Sequence, residues 1–149
     1  MIIEVDQSGK IENTNKDTVI AFTNDIFGSI LIKARNKRAI QKIFRSIGKH
    51  KIFIYRLFAI LTFLLIRKYL KKINEIIIDE EYPGKSAMIK DFLLREIRKV
   101  RPDFPKENIH FQLVGKKSRA HYLAYGVEIG KKLPDKEVGY LEILKFLIK

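Results

Sequence analysis

"IIIDEEYPGKS", residues 76–86, decides how this chain is read. Three isoleucines run into Asp79, Glu80 and Glu81, and Gly84-Lys85-Ser86 follows. With Glu75 in front, the run "EIIID" has the near-continuous apolar character of a central parallel strand buried on both faces. Ligands of such sheets bind outside the carboxyl ends of the strands, which is where Asp79 falls. Gly84-Lys85-Ser86 then reads as a turn into a helix over 85–100, with Ser86 in the capping position. An ATPase is the competing reading, because an apolar strand ending in Asp-Glu also occurs there. It fails on spacing. A phosphate-binding loop has the form G-x-x-x-x-G-K-[ST], and its first glycine would stand at position 79, which is Asp79.

Towards the N-terminus, "KIFIYRLFAILTFLLIRKYLKK" (51–72) is apolar nearly all round, the pattern of a helix packed on most sides. A membrane span needs ~20 apolar residues. Here Arg56 interrupts, and the clean run Leu57–Ile66 has only ten residues, so no membrane partner is expected. Earlier still, Ala39-Ile40, Ile43-Phe44 and Ile47 recur at helical spacing up to Gly48. "MIIEVDQS" (1–8), "DTVIAFTN" (17–24) and "GSILIKAR" (28–35) are β-rich runs separated by turn residues and predict an antiparallel meander. Towards the C-terminus, "NIHFQLVG" (108–115) reads as a strand and "KKSRAHYLAYGVEIG" (116–130) as a helix. Residues 135–149 read as a helix docked on the body or on a neighbouring subunit. The expectation is one α/β domain over 1–149, with a mixed five-stranded sheet and helices on both faces.

The 149 residues are 46% hydrophobic and 32% charged, as in globular domains. The absence of cysteine excludes disulfides, a thiol nucleophile and a thiolate metal site. No basic and apolar leader opens the chain, so a cytoplasmic location is expected. The net charge is +13, and it is concentrated. No acid occurs between Ile26 and Asn74, a stretch that holds 13 of the 30 lysines and arginines; the other 17 balance the 17 acids. Such polarity suits a polyanion, and nucleic acid is the expected partner. Lys33, Arg35, Lys37, Arg38, Lys42 and Arg45 are the residues expected to grip its backbone.

The first strand has the same shape as the fourth: "IIEVD" places Asp6 after an apolar run, before Gln7-Ser8-Gly9. If the two strands are parallel neighbours, Asp6 and Asp79 meet at one edge. Paired carboxylates there can bind Mg²⁺ or Mn²⁺, which orient water and stabilise a leaving oxygen in phosphodiester hydrolysis. Asp6-Gln7-Ser8-Gly9 and the order of three meander strands, a helical stretch and a fourth strand ending in Asp79 resemble the ribonuclease H-like superfamily. The resemblance spans about residues 1–132 and rests on element order and two acids. It implies a ribonuclease H-like sheet in which the first and fourth strands adjoin. The activity it implies is that of a metal-dependent nuclease, with an exonuclease acting on single-stranded DNA or RNA as the favoured case. Ribonuclease H proper also carries a glutamate on the helix between the third and fourth strands. Here residues 36–74 contain no acid, and Glu75, Glu80 or Glu81 would have to substitute.

The superfamily takes its last ligand from a late helix. In 116–130 the candidates are His121 and Glu128, which share a polar stripe with Lys117 at ~100° per residue. His121 is expected as ligand or proton shuttle, Glu128 as a metal ligand, and Lys116, Lys117 and Arg119 on phosphates. Tyr122 and Tyr125 mix with these cations as in single-strand binders that stack bases; packing is an equal alternative. His110 and His50 carry no ligand spacing. Two other functions fit the same residues. One is a non-catalytic nucleic-acid-binding protein of this fold. The other is a structural protein that assembles into homo-oligomers through the apolar helix 52–66 and the C-terminal helix.

Overall fold

A computed structural model describes residues 1–113 and 118–147. The meander is present as β1 (Ile2–Ser8), β2 (Thr18–Thr23) and β3 (Phe27–Ile32). Then come α1 (Ala34–Ser46), α2 (Phe53–Ile66), β4 (Glu75–Asp79), α3 (Ser86–Val100), β5 (Ile109–Gln112) and α4 (Arg119–Glu128). The chain ends in β6 (Lys136–Val138) and α5 (Tyr140–Leu147). The sheet has six strands in the order β5-β4-β1-β2-β3-β6, not the five expected. The additional strand lies in the segment read as helix only. "KEV" is too short for a period to be seen, and its pairing with β3 is a tertiary event. Every neighbouring pair is parallel except β1–β2 and β2–β3, so β2 alone runs backwards.

Helices cover both faces, unequally. Ile20 and Phe22 of β2 join the large core beneath α1, α2, α3 and α5. Val19 and Ala21, alternating with them, pack under α4 with Leu123, Ala124 and Val127. Strict alternation with both faces buried is why β2 reads as a continuous β-rich run. From Leu57 to Ile66 every residue of α2 is buried, so this helix is a core element and not the assembly surface considered for 52–66. Among the described residues, no helix is long and apolar enough to cross a membrane. Ser86 is the first residue of α3, not its cap; the N-cap is Lys85, without a side-chain bond. Gly84 makes the turn with φ +81, a conformation that glycine adopts without steric cost.

Lys37, expected on the nucleic-acid surface, is fully buried. Its Nζ donates to Lys10 O (3.2 Å), Asn13 O (2.8 Å) and Thr18 Oγ1 (2.9 Å). The same face of α1 that buries Ile40 and Phe44 carries this lysine inward over the β1–β2 loop. Asp17 Oδ1 accepts from Ala34 N (2.9 Å), and Arg38 Nη1 donates to Thr14 O (2.7 Å). The loop after β1 is thereby stitched to α1. Arg35, Arg38, Lys42 and Arg45 remain exposed at i, i+3, i+7 and i+10, one straight stripe on the outer face.

Candidate metal centre

The register Val5↔Ile78 sets Asp6 beside Asp79 at the carboxyl edge of two parallel strands. Glu80 N continues the ladder beyond β4 by donating to Gln112 O (3.1 Å). The chain then turns tightly about Glu80, with Glu81 N donating to Asp79 O (3.0 Å). This turn brings the Glu81 carboxyl back to that of Asp79. Tyr82 then anchors the segment. It is buried, with its ring edge-on to Tyr55 and Phe58 of α2. Its hydroxyl accepts from Gln7 Nε2 (3.0 Å) and donates to Glu12 Oε1 (3.2 Å).

Asp6, Asp79 and Glu81 each offer an oxygen within 4.8 Å of the other two. Asp6 is only 3% exposed. Burial raises its pKa, and Asp79 nearby adds to this; the Gln7 N–H bond (2.8 Å) and His121 pull it back. Burial likewise pushes Glu81 up, to about 8, assisted by shared hydrogen bonding with Asp79 and by the charges of Asp79 and Asp6. Three half-buried carboxyls this close cannot all ionise without a cation or a retained proton. The donor set is all oxygen, which suits a hard ion such as Mg²⁺ or Mn²⁺ and not zinc.

His121 Nδ1 lies 3.0 Å from Asp6 Oδ2. An ionised carboxylate only accepts, so this bond favours the Nδ1–H tautomer and leaves Nε2 for a proton. The Ser118 hydroxyl caps α4 by accepting from His121 N (3.0 Å), which fixes the helix start beneath the site. Asp6, Gln7, Ser8, Lys10, Asp79, Glu81, Leu113 and His121 line a cleft of about 490 Å³.

Of the expected ligands, the cluster therefore brings together Asp6, Asp79 and Glu81, with His121 against Asp6. Glu80 is not part of it. Glu128 is two turns beyond His121, about 10 Å along the axis, and accepts from Ser8 Oγ at 2.5 Å. Lys116 and Lys117 lie outside the described residues. Arg119 is exposed at the start of α4, beside Glu4 and Asn24, away from the cleft. His110 pairs with Glu75 (3.2 Å). Sequence reasoning missed Gln7, Lys10 and Tyr82. Tyr82 stood inside the quoted stretch, but its partner Gln7 is 75 residues away.

The raised carboxyl pKa values carry a sign. In the unfolded chain Glu81 ionises near 4.5, in the folded protein near 8. Between these values the native state holds more protons, so stability without metal falls as pH rises from about 4.5 to 8. Metal binding displaces that proton. The expected outcome is a rise in melting temperature with millimolar Mn²⁺ or Mg²⁺ that is larger at pH 8 than at pH 6. Thermal melts at both pH values, with metal and with EDTA, measure it; no shift at either pH removes the metal site.

Compared with known proteins, the chain matches no family model, no curated protein and no solved structure.

Proposed function

We propose that this protein is a divalent-metal-dependent nuclease of ribonuclease H-like fold that hydrolyses phosphodiester bonds in single-stranded nucleic acid, most simply from an end. The observation that carries the reading is the buried Asp6–Asp79–Glu81 cluster with His121 bonded to Asp6. Adjacent, parallel first and fourth strands and a single reversed strand support the resemblance of the sequence to that superfamily. α1 and α2 carry no acid, and Glu81 takes the place that a helical glutamate would fill.

When bound, Mg²⁺ or Mn²⁺ would supply charge neutralisation at the phosphate and a water acidic enough to attack it. The residues do the remainder. Asp6, Asp79 and Glu81 would hold the ion. His121 fixes the orientation of Asp6 through Nδ1, as outer-shell partners of metal ligands do. Facing the cleft, His121 is also placed to take or give a proton at Nε2. Gln7 and Tyr82 keep the two ligand-bearing strands in register, and Lys10 sets a cation on the cleft wall.

β3 runs in the same direction as β1, so α1 begins at the sheet edge where the cluster lies. Its stripe of Arg35, Arg38, Lys42 and Arg45 is the surface for the phosphate backbone. Arg35→Ala, Lys42→Ala and Arg45→Ala are each expected to reduce the slope of log affinity against log salt by about 1. Stability should change by less than about 0.5 kcal/mol. Fluorescence anisotropy over a salt series measures the first and denaturant melts the second.

Incubation with end-labelled single- and double-stranded DNA and RNA in Mn²⁺, Mg²⁺ or EDTA tests the activity. Metal-dependent cleavage supports the nuclease reading, and the product ladder reports the mode of attack. The acid-free stretch 36–74 favours a second reading, a binding protein of the same fold. That reading predicts salt-sensitive binding with no cleavage under any metal.

A further inference from the structure

α4 packs on β1, β2 and β3. Among the described residues no helix covers the same face of β4 and β5, where His110 and Glu75 are 42% and 39% exposed. The metal cluster therefore opens sideways onto an uncovered stretch of sheet, with α4 as its wall. Around α4, at ~100° per residue, Tyr125 lies about 40° beyond His121 on the side away from the buried residues, and Tyr122 follows about 60° further round. The Tyr125 ring is parallel to that of His121 within 4°, with centroids 6.5 Å apart. Because His121 is tied to Asp6, the plane of Tyr125 is set relative to the cluster.

Tyr122 is 62% and Tyr125 50% exposed; both meet the His121 ring and keep the rest of their surface open to solvent. Two aromatic faces one helical turn apart, beside a cleft whose three carboxylates would hold a divalent cation, match a planar group attached to an anion. Base–aromatic stacking needs a free base face, which a duplex interior does not offer.

We propose that Tyr125 and Tyr122 form a stacking platform for an unpaired nucleobase whose phosphate lies at the Asp6–Asp79–Glu81 cluster, so that the cleft takes single strands in preference to duplex. This inference rests on the nuclease reading for the position of the phosphate.

Binding of a labelled single strand and of its duplex, measured across a salt series in Ca²⁺, a hard cation that oxygen ligands hold, tests it. The proteins compared are the wild type and the double variants Y122A/Y125A and Y122F/Y125F. The alanine pair is expected to weaken single-strand binding about ten- to a hundredfold while leaving the salt slope unchanged, since no charge is removed. Duplex binding should stay within about twofold, and the phenylalanine pair should restore single-strand affinity, because the ring face and not the hydroxyl carries the effect. Equal losses on both substrates, no restoration by phenylalanine, or no single-strand binding by the wild type would each overturn the platform. The nuclease reading is tested separately by cleavage with metal. A single-strand preference lost in Y122A/Y125A, with no cleavage by the wild type in Mn²⁺ or Mg²⁺, keeps the platform and removes the nuclease; cleavage with unchanged single-strand preference in Y122A/Y125A does the reverse.

Discussion

Asp6→Asn is expected to lower metal-dependent cleavage by about 10³-fold or more, with little loss of stability in the metal-free protein. The two halves of this result have one cause. Asp6 is the most buried member of the cluster, and its charge is opposed by burial and by Asp79. Neutralising it in the same shape removes a repulsion, keeps an oxygen that can accept from Gln7 N, and leaves the fold intact. The bound ion loses a ligand, and with it several kcal/mol of charge stabilisation at the reacting phosphate, which is a factor of about 10³ in rate. Melting curves should show that the variant, unlike the wild type, gains little from Mn²⁺. A variant that cleaves normally would end the assignment of the cluster as the reaction centre. One that simply unfolds would make Asp6 a structural residue.

Lys37→Met is expected to cost about 3 kcal/mol of stability and to leave the salt dependence of nucleic-acid binding unchanged. Methionine fills much of the space, but Lys10 O, Asn13 O and Thr18 Oγ1 lose their common donor. An orphaned buried acceptor costs about 1–3 kcal/mol. Part of the loss is offset by the removal of a buried charge, since burial pushes the Lys37 pKa down to about 8, against the pull of Asp17 and Glu12. The ammonium is nevertheless retained at neutral pH. Thr18 Oγ1 also donates to Gly9 O (2.8 Å), so the loop bordering the cleft hangs from this lysine. Urea melts and the anisotropy series used for the arginine stripe separate the two readings. A reduced salt slope with unaltered stability would return Lys37 to the surface.

Much of the fold was legible because its signals are local. Apolar runs marked β1 to β4, and helical spacing and a glycine stop marked α1; the adjacency of β1 and β4, a condition in the sequence and an implication of the resemblance, is present in the sheet. The acid pair at their edge came with that adjacency. What was not legible depends on partners distant in the chain. β6 is three residues whose only signal is the β3 strand they meet. Lys37 looks like its cationic neighbours until the turn of α1 places it inward. Glu80 and Glu81 are indistinguishable as letters, and the tight turn about Glu80 chooses between them. Glu128 falls on the expected stripe of α4, but stripe membership says nothing about the rise along the helix, which carries it to Ser8.

The late position of β6 also bears on how the chain is made. β3, six residues from Phe27 to Ile32 and nearly all buried in the finished sheet, keeps an unpaired outer edge until residues 136–138 leave the ribosome. Until then a nascent chain presents an apolar strand edge of the kind that recruits other chains. Its brief closure at the end by "KEV", with a lysine and a glutamate on the new rim, converts that edge into one too short and too charged to template another strand.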